Sequence, residues 1–164
     1  MTAKPTRLRP APAKRARAAK VEKTPTAVSE ASHSLGVFAL IDTKIIYGKF
    51  GADDGEIEYR YDAEMDHPDR VGEDGALWLV ATRLSVKKQR EGEDQSAIRA
   101  TYVFGINCEN VTEDKVIDIA KRYVATAVWQ AFASLSAIMA QQMRVDFPGL
   151  PSEPSEIEVK DLFK

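Results

Sequence analysis

The sequence predicts an α+β domain: a four-stranded antiparallel sheet, then one long helix, then a proline-rich C-terminal segment. Alternation of apolar and polar residues recurs in four stretches between residues 35 and 107, the period-two mark of half-buried strands. From residue 113 the period turns helical, and residues 123–143 hold no charged side chain. Pro148, Pro151 and Pro154 then forbid more helix and impose an extended path. Strands first and a helix afterwards make a two-layer α+β domain rather than alternating βα units.

Residues 1–33 are rich in Ala, Pro, Lys, Arg, Ser and Thr and poor in large apolar groups. They bury too little to offset the entropy of ordering, so a disordered basic arm is expected there and a folded domain over 34–164. The first strand covers residues 35–50, with Val37, Phe38, Leu40, Ile41, Ile45 and Tyr47 supplying bulk and a break near Asp42-Thr43. In the second, residues 56–62, Ile57, Tyr59 and Tyr61 alternate with Glu56, Glu58 and Arg60. Gly51-Ala52-Asp53-Asp54-Gly55 between them has hairpin-turn chemistry. The third, residues 76–88, places Trp78, Val80, Thr82, Leu84 and Val86 on one face. The fourth, residues 98–107, does the same with Ile98, Ala100, Tyr102, Phe104 and Ile106. Residues 90–96 read as a polar loop joining these two as a hairpin. Residues 62–75 are acidic and turn-rich, too long for a tight turn, so strands two and three need not be simple hairpin neighbours.

Thr112 is placed to cap the helix, with Glu113 and Asp114 facing the positive end of its dipole. Val116, Ile119, Ala120, Tyr123, Ala127, Ala131, Leu135 and Ile138 recur at helical spacing. Lys115, Asp118, Lys121 and Arg122 wet the first turns, and beyond Tyr123 the wet face is gone. A surface helix carries charges on its outer stripe, so a second subunit is expected to cover this one at Thr126, Gln130, Ala131, Ser134, Ala137 and Gln141. The far end of the chain is open: Ser155-Glu156-Ile157-Glu158 reads as a capping box for a short second helix, and the alternation of Ile157 and Val159 fits a strand equally well.

The 164 residues, 44% hydrophobic and 29% charged, suit one soluble domain with tails. The net charge of −2 combines a basic arm (Lys4, Arg7, Arg9, Lys14, Arg15, Arg17, Lys20, Lys23) with an acidic body. Cys108 is the only cysteine, so no internal disulfide forms, and a reducing, cytoplasmic setting is expected. No apolar run follows the N-terminal charges, which argues against a cleaved secretory signal, and Pro5, Pro10 and Pro12 argue against an amphipathic transit peptide. The uncharged stretch is long enough for a bilayer, but Gln130, Ser134, Ser136, Gln141 and Gln142 make it too polar, and no membrane span is expected.

Motifs for catalysis are missing: no G-x-G-x-x-G, P-loop, C-x-x-C or G-x-S-x-G pattern occurs. His33 and His67 are the only histidines, too few beside one cysteine for a triad or metal site. The carboxylates between Asp53 and Asp74 sit in polar stretches and read as a solvated surface, or as an acidic docking face for a basic partner. No catalytic residue, cofactor or metal is therefore expected. The arm can neutralise phosphates, but it lacks aromatics to stack on bases, so a solubilising tail is favoured over nucleic-acid binding.

Phe147-Pro148-x-Leu150-x-x-x-Pro154, arriving after the aromatics Trp129 and Phe132 and after strands and a weakly charged helix, resembles the SecB family of export chaperones and SecB-like proteins. Gln130 stands where the family has proline after its aromatic, and the family's N-F-D-A-L has only Asp161-Leu162-Phe163 as counterpart. The basic arm is also unusual for the export chaperone; these departures touch motor docking more than chaperoning. The resemblance implies a homotetramer, a dimer of dimers with helices between the dimers. It implies an ATP-independent holdase that keeps preproteins export-competent and hands them to the translocase, or one dedicated to an antitoxin. Phe38, Leu40, Leu77, Trp78, Leu79, Trp129, Phe132 and Phe147 are the expected walls of its client groove. The competing readings are a small-molecule-binding domain or enzyme with a pocket between sheet and helix, and an arm-driven nucleic-acid binder.

Overall fold

The computed structural model describes residues 33–47, 56–72, 76–145 and 147–162. Apart from His33, the arm expected over 1–33 lies outside them, as does the turn sequence at residues 51–55. The described chain is strands β1 (Ser34–Tyr47), β2 (Ile57–Met65), β3 (Asp69–Val71), β4 (Leu77–Arg90) and β5 (Glu93–Asn107), helix α1 (Glu113–Tyr123), a π-helical turn (Val124–Val128), helix α2 (Trp129–Met143) and strand β6 (Glu158–Val159). The α+β class and single long helix match the expectation. The sheet does not: among the described residues it has six strands, ordered β1-β5-β4-β2-β6 with β3 also on β4.

The two extra strands have local causes. β2 and β3 both pair antiparallel with β4, and the register slips by one residue between Met65–Thr82 and Asp69–Leu79. Pro68 lies in this gap and has no N–H to give a ladder, while Asp66 N–H still reaches the Ala81 carbonyl at 2.8 Å. The stretch expected to be loop from residue 62 is thus the end of β2 and a short continuation of the same edge. At the C-terminus the open choice between helix and strand falls to strand: β6 pairs parallel with Glu64 and Met65 of β2.

The loop expected at residues 90–96 is mostly strand. β4 and β5 stay paired to Arg90–Glu93, and the turn is Glu91-Gly92, with φ of 51° and 80°. Positive φ at both central residues is the type I′ turn that matches strand twist. The expected hairpin between the first two strands is overturned, because β1 pairs with β5 and β2 with β4, leaving the two apart.

Alternation reads true in the centre. Trp78, Val80, Thr82, Leu84 and Val86 lie opposite Ile106, Phe104, Tyr102, Ala100 and Ile98, and all ten are buried beneath the helix. From β2, Ala63 and Met65 join the same cluster. The helix contributes Val116, Ala120, Val124, Val128, Phe132, Ser136 and Ala140, every fourth residue, along with Ile119 and Trp129. Four residues of α-helix overshoot a full turn by about 40°, so such a row would wind off the sheet. The wider π turn gives back part of that drift midway.

Thr112 holds the N-cap position with extended backbone, but its side chain makes no capping bond. The helix ends with Arg144 in the left-handed region (φ 55°), and Val145 N–H bonds the Ala140 carbonyl at 3.2 Å while Arg144 N–H bonds that of Gln141 at 3.3 Å. This is a Schellman stop. By length and composition, Glu113–Met143 is apolar enough to cross a bilayer; here it lays one face on the sheet.

Candidate functional site

Beyond the core, the fold sets out three surfaces. The first is the β1 edge. Register places Phe38 and Leu40 beside Phe104 and Tyr102 on the helix side of the sheet. Among the described residues the helix packs over β4 and β5, and Phe38 and Leu40 of β1 are 42% and 46% exposed. Phe38 stacks on Tyr102 with ring centroids 5.5 Å apart and planes 9° from parallel. Ile41, left out of register by a bulge between Leu40 and Asp42, is 62% exposed. Burial pushes the Tyr102 phenol up to about 12, so it stays neutral beneath this apolar row.

The second surface is the outer face of the helix. Thr126, Gln130, Ser134, Ala137 and Gln141 are all exposed there, whereas Ala131 is half-buried and packs against the chain's own core. Thr126 Oγ1 donates to the Arg122 carbonyl at 2.8 Å and Ser134 Oγ to that of Gln130 at 3.0 Å. Such back-bonds satisfy the hydroxyls within the helix, leaving an uncharged face whose Gln130 and Gln141 amides need partners when it is covered.

The third is built by the proline segment, which returns across the helix as a strap. Trp129 Nε1 donates to the Pro151 carbonyl at 2.7 Å, and Phe147, Leu150, Ile157 and Val159 pack on the core. Beyond it the β2 edge carries an ion-pair network. Burial alone would raise the Asp62 carboxyl, but hydrogen bonds from Lys87 and Arg60, and their charges, hold it below the usual carboxylate range. Their distances are 2.7 Å and 2.9 Å, and Ser85 Oγ adds a donor at 3.2 Å. Lys160 binds Glu158 and, at 3.0 Å, Glu64; hydrogen bonds to these two carboxylates push its ammonium up to about 12. A cleft of about 420 Å³ opens between β2 and residues 155–160.

The eight residues expected to wall a client groove are not brought together. Phe38 and Leu40 lie on the β1 edge. Leu77 and Leu79 share the face away from the helix, half-buried, with Ala81 and Val103. Trp78, Trp129 and Phe132 are 8%, 1% and 0% exposed and belong to the core. Phe147 is in the strap, 6.4 Å from Tyr59 by ring centroids. Sequence reasoning missed the exposure of Ile41, because a bulge leaves no local mark. It also missed the Asp62–Lys87 and Lys160–Glu64 pairs, because they join distant strands. Among the described residues, no group of three or more His, Cys, Asp or Glu is placed to hold a metal.

No family model matches this chain. No curated protein matches it by sequence either. Several solved chains are similar in structure, among them the Mycobacterium tuberculosis Rv1957 SecB-like chaperone, solved in complex with a ChAD peptide from the Rv1956 HigA1 antitoxin. Its TM-score is 0.52 at 10% identity, covering 73% of this chain and 88% of that one. At that identity the two share a fold. The sheet followed by one long helix is therefore a SecB-like fold.

Proposed function

We propose that this chain is a non-catalytic, ATP-independent holdase of the cytoplasm, needing no cofactor and working as a homo-oligomer, a tetramer by its SecB-like fold. The observation that carries the reading is the row Phe38–Leu40–Ile41, large apolar side chains facing water on an edge strand. Covering apolar area contributes roughly 25 cal/mol per Å² whatever the sequence of the client. An unfolded chain thus gains from such a surface without specific anchors. The pocket reading is weaker, since the space between sheet and helix is filled by Trp129, Phe104, Phe132, Met65 and Leu84, none more than 1% exposed.

Two client classes fit. A general holdase would keep preproteins unfolded for the translocase. A dedicated one would shelter an antitoxin segment, and the peptide held by the structural neighbour favours this second class. Light scattering from a denaturant-unfolded protein diluted into buffer without nucleotide tests the holdase. The chain should suppress scattering near stoichiometric amounts, and Leu40→Ser should weaken suppression several-fold while keeping the fold. A client panel then separates the classes: similar affinity across unrelated unfolded chains supports the general holdase, one tight segment the dedicated one.

A further inference from the structure

On the face of the sheet turned away from the helix, the carboxylates of β2 are already paired. Asp62 is taken by Lys87 and Arg60 and Glu64 by Lys160 and Arg83. Farther across the same face the charge is uncompensated. Register sets Lys44 of β1 directly opposite Arg99 of β5, and Arg99 opposite Ser85 of β4. These side chains stand away from the helix, because Ile98 and Ala100 on either side of Arg99 are buried beneath it. Lys44 is exposed and Arg99 half-buried. Among the described residues, neither the Lys44 ammonium nor the Arg99 guanidinium has an ion pair or hydrogen bond. Asp42, exposed on this face opposite Thr101, pairs with neither. Like charges directly opposite each other destabilise a strand pair, so an anion brought to this row relieves a repulsion already present.

We propose that this face docks an acidic segment of a partner protein, its carboxylates on Lys44 and Arg99 and its apolar residues on Val103, Ala81 and Leu79. Val103 stands four residues along β5 from Arg99, about 13 Å at the usual strand rise. It lies between Ala39 and Ala81, with Leu79 next along β4, and all four are half-buried. A basic row with an apolar patch at one end matches a segment that carries acidic residues and then apolar ones. A nucleic-acid strand fits less well. Among the described residues of β1, β2, β4 and β5, this face carries no aromatic ring for a base to stack on. Asp42, Asp62 and Glu64 on the same face also repel a continuous phosphate backbone. The surface is separate from the exposed β1 row on the helix side, so the proposal does not depend on client holding.

Fluorescence anisotropy on the full chain tests this, with a labelled peptide that carries a run of glutamates followed by leucines and valines. The arm of residues 1–33 is also basic, so the readout is the difference between variants that share it. Lys44→Gln combined with Arg99→Gln should weaken binding about tenfold or more. Lys115→Gln combined with Arg122→Gln removes the same charge from exposed positions of α1 and should change binding less than about twofold. Serine in place of the peptide's apolar residues should weaken binding several-fold. The thermal midpoint of the Lys44/Arg99 double variant should equal or exceed that of the unaltered chain, because a repulsion is removed. Equal effects of the two double variants, a peptide that does not bind, no loss on serine replacement, or a lowered midpoint would each overturn the proposal. An oligothymidylate strand of similar length is the competing probe. If it binds more tightly than the peptide and is lost in the Lys44/Arg99 variant, the row serves nucleic acid and the acidic-segment reading is wrong.

Discussion

Trp129 shows how one side chain joins distant parts of this protein. Its ring fills the core at 1% exposure, and its Nε1–H holds the strap through the Pro151 carbonyl. Trp129→Phe keeps most of the packing and removes the bond, so urea denaturation should show a loss of about 1 kcal/mol; unchanged stability would mean the strap is held otherwise. Asp62 makes a pH-dependent contribution. Its folded pKa lies below the ordinary value because Lys87 and Arg60 outweigh burial. The stabilisation is therefore present above the unfolded pKa and is lost as pH falls through the folded one. Asp62→Asn should flatten the acid limb of a stability–pH profile, and an identical limb would contradict the pairing. At this scale the sequence identified the inward-facing residues of β4 and β5, where alternation is enough. It could not separate core from groove for Trp129 and Phe132, because their cover is a strap more than twenty residues downstream in the case of Trp129.

The π turn gives the helix a feature testable by deletion. A π turn holds one residue more than the α-helical path it replaces. Removing the exposed Ala127 should let Val124–Val128 become regular α-helix with the flanking turns kept in phase. Removing Ala137 from α2 should instead rotate Ala140 off the sheet. Thermal unfolding should show the first deletion tolerated and the second costing about 2 kcal/mol or more, as core disruption does. Equal losses would deny the turn its role as a phase corrector. The helix and the central strands were readable in the sequence, since each is a local pattern. Strand order was not. The turn chemistry at residues 51–55 suggested neighbours, yet β1 and β2 stand at separate places because β5 and β4 are the better-matched pair between them. β6 escaped a firm assignment because two residues of parallel pairing carry almost no signal of their own.

For the whole molecule, the exposed β1 row is apolar surface that calls for cover, and the outer helix face carries no charge. Thr126, Gln130, Ser134, Ala137 and Gln141 point outward together, where a second copy would cover them. Ser134→Glu should therefore lower the mass in solution and leave protomer stability within about 0.5 kcal/mol, because Ser134 is exposed and its hydroxyl bonds only within its own helix. Ala131→Glu is a blunter probe, since Ala131 packs against the core as well. A native mass for Ser134→Glu would remove this face from the interface. The acidic body and basic arm were readable from composition; which surface meets a client was not, because it depends on where the helix stops covering the sheet. Client holding is most directly tested by light scattering of an unfolded protein in the presence of the unaltered chain, without nucleotide. Suppression that saturates near stoichiometric amounts is expected; scattering that rises as in buffer alone, at any ratio, would contradict the function proposed here.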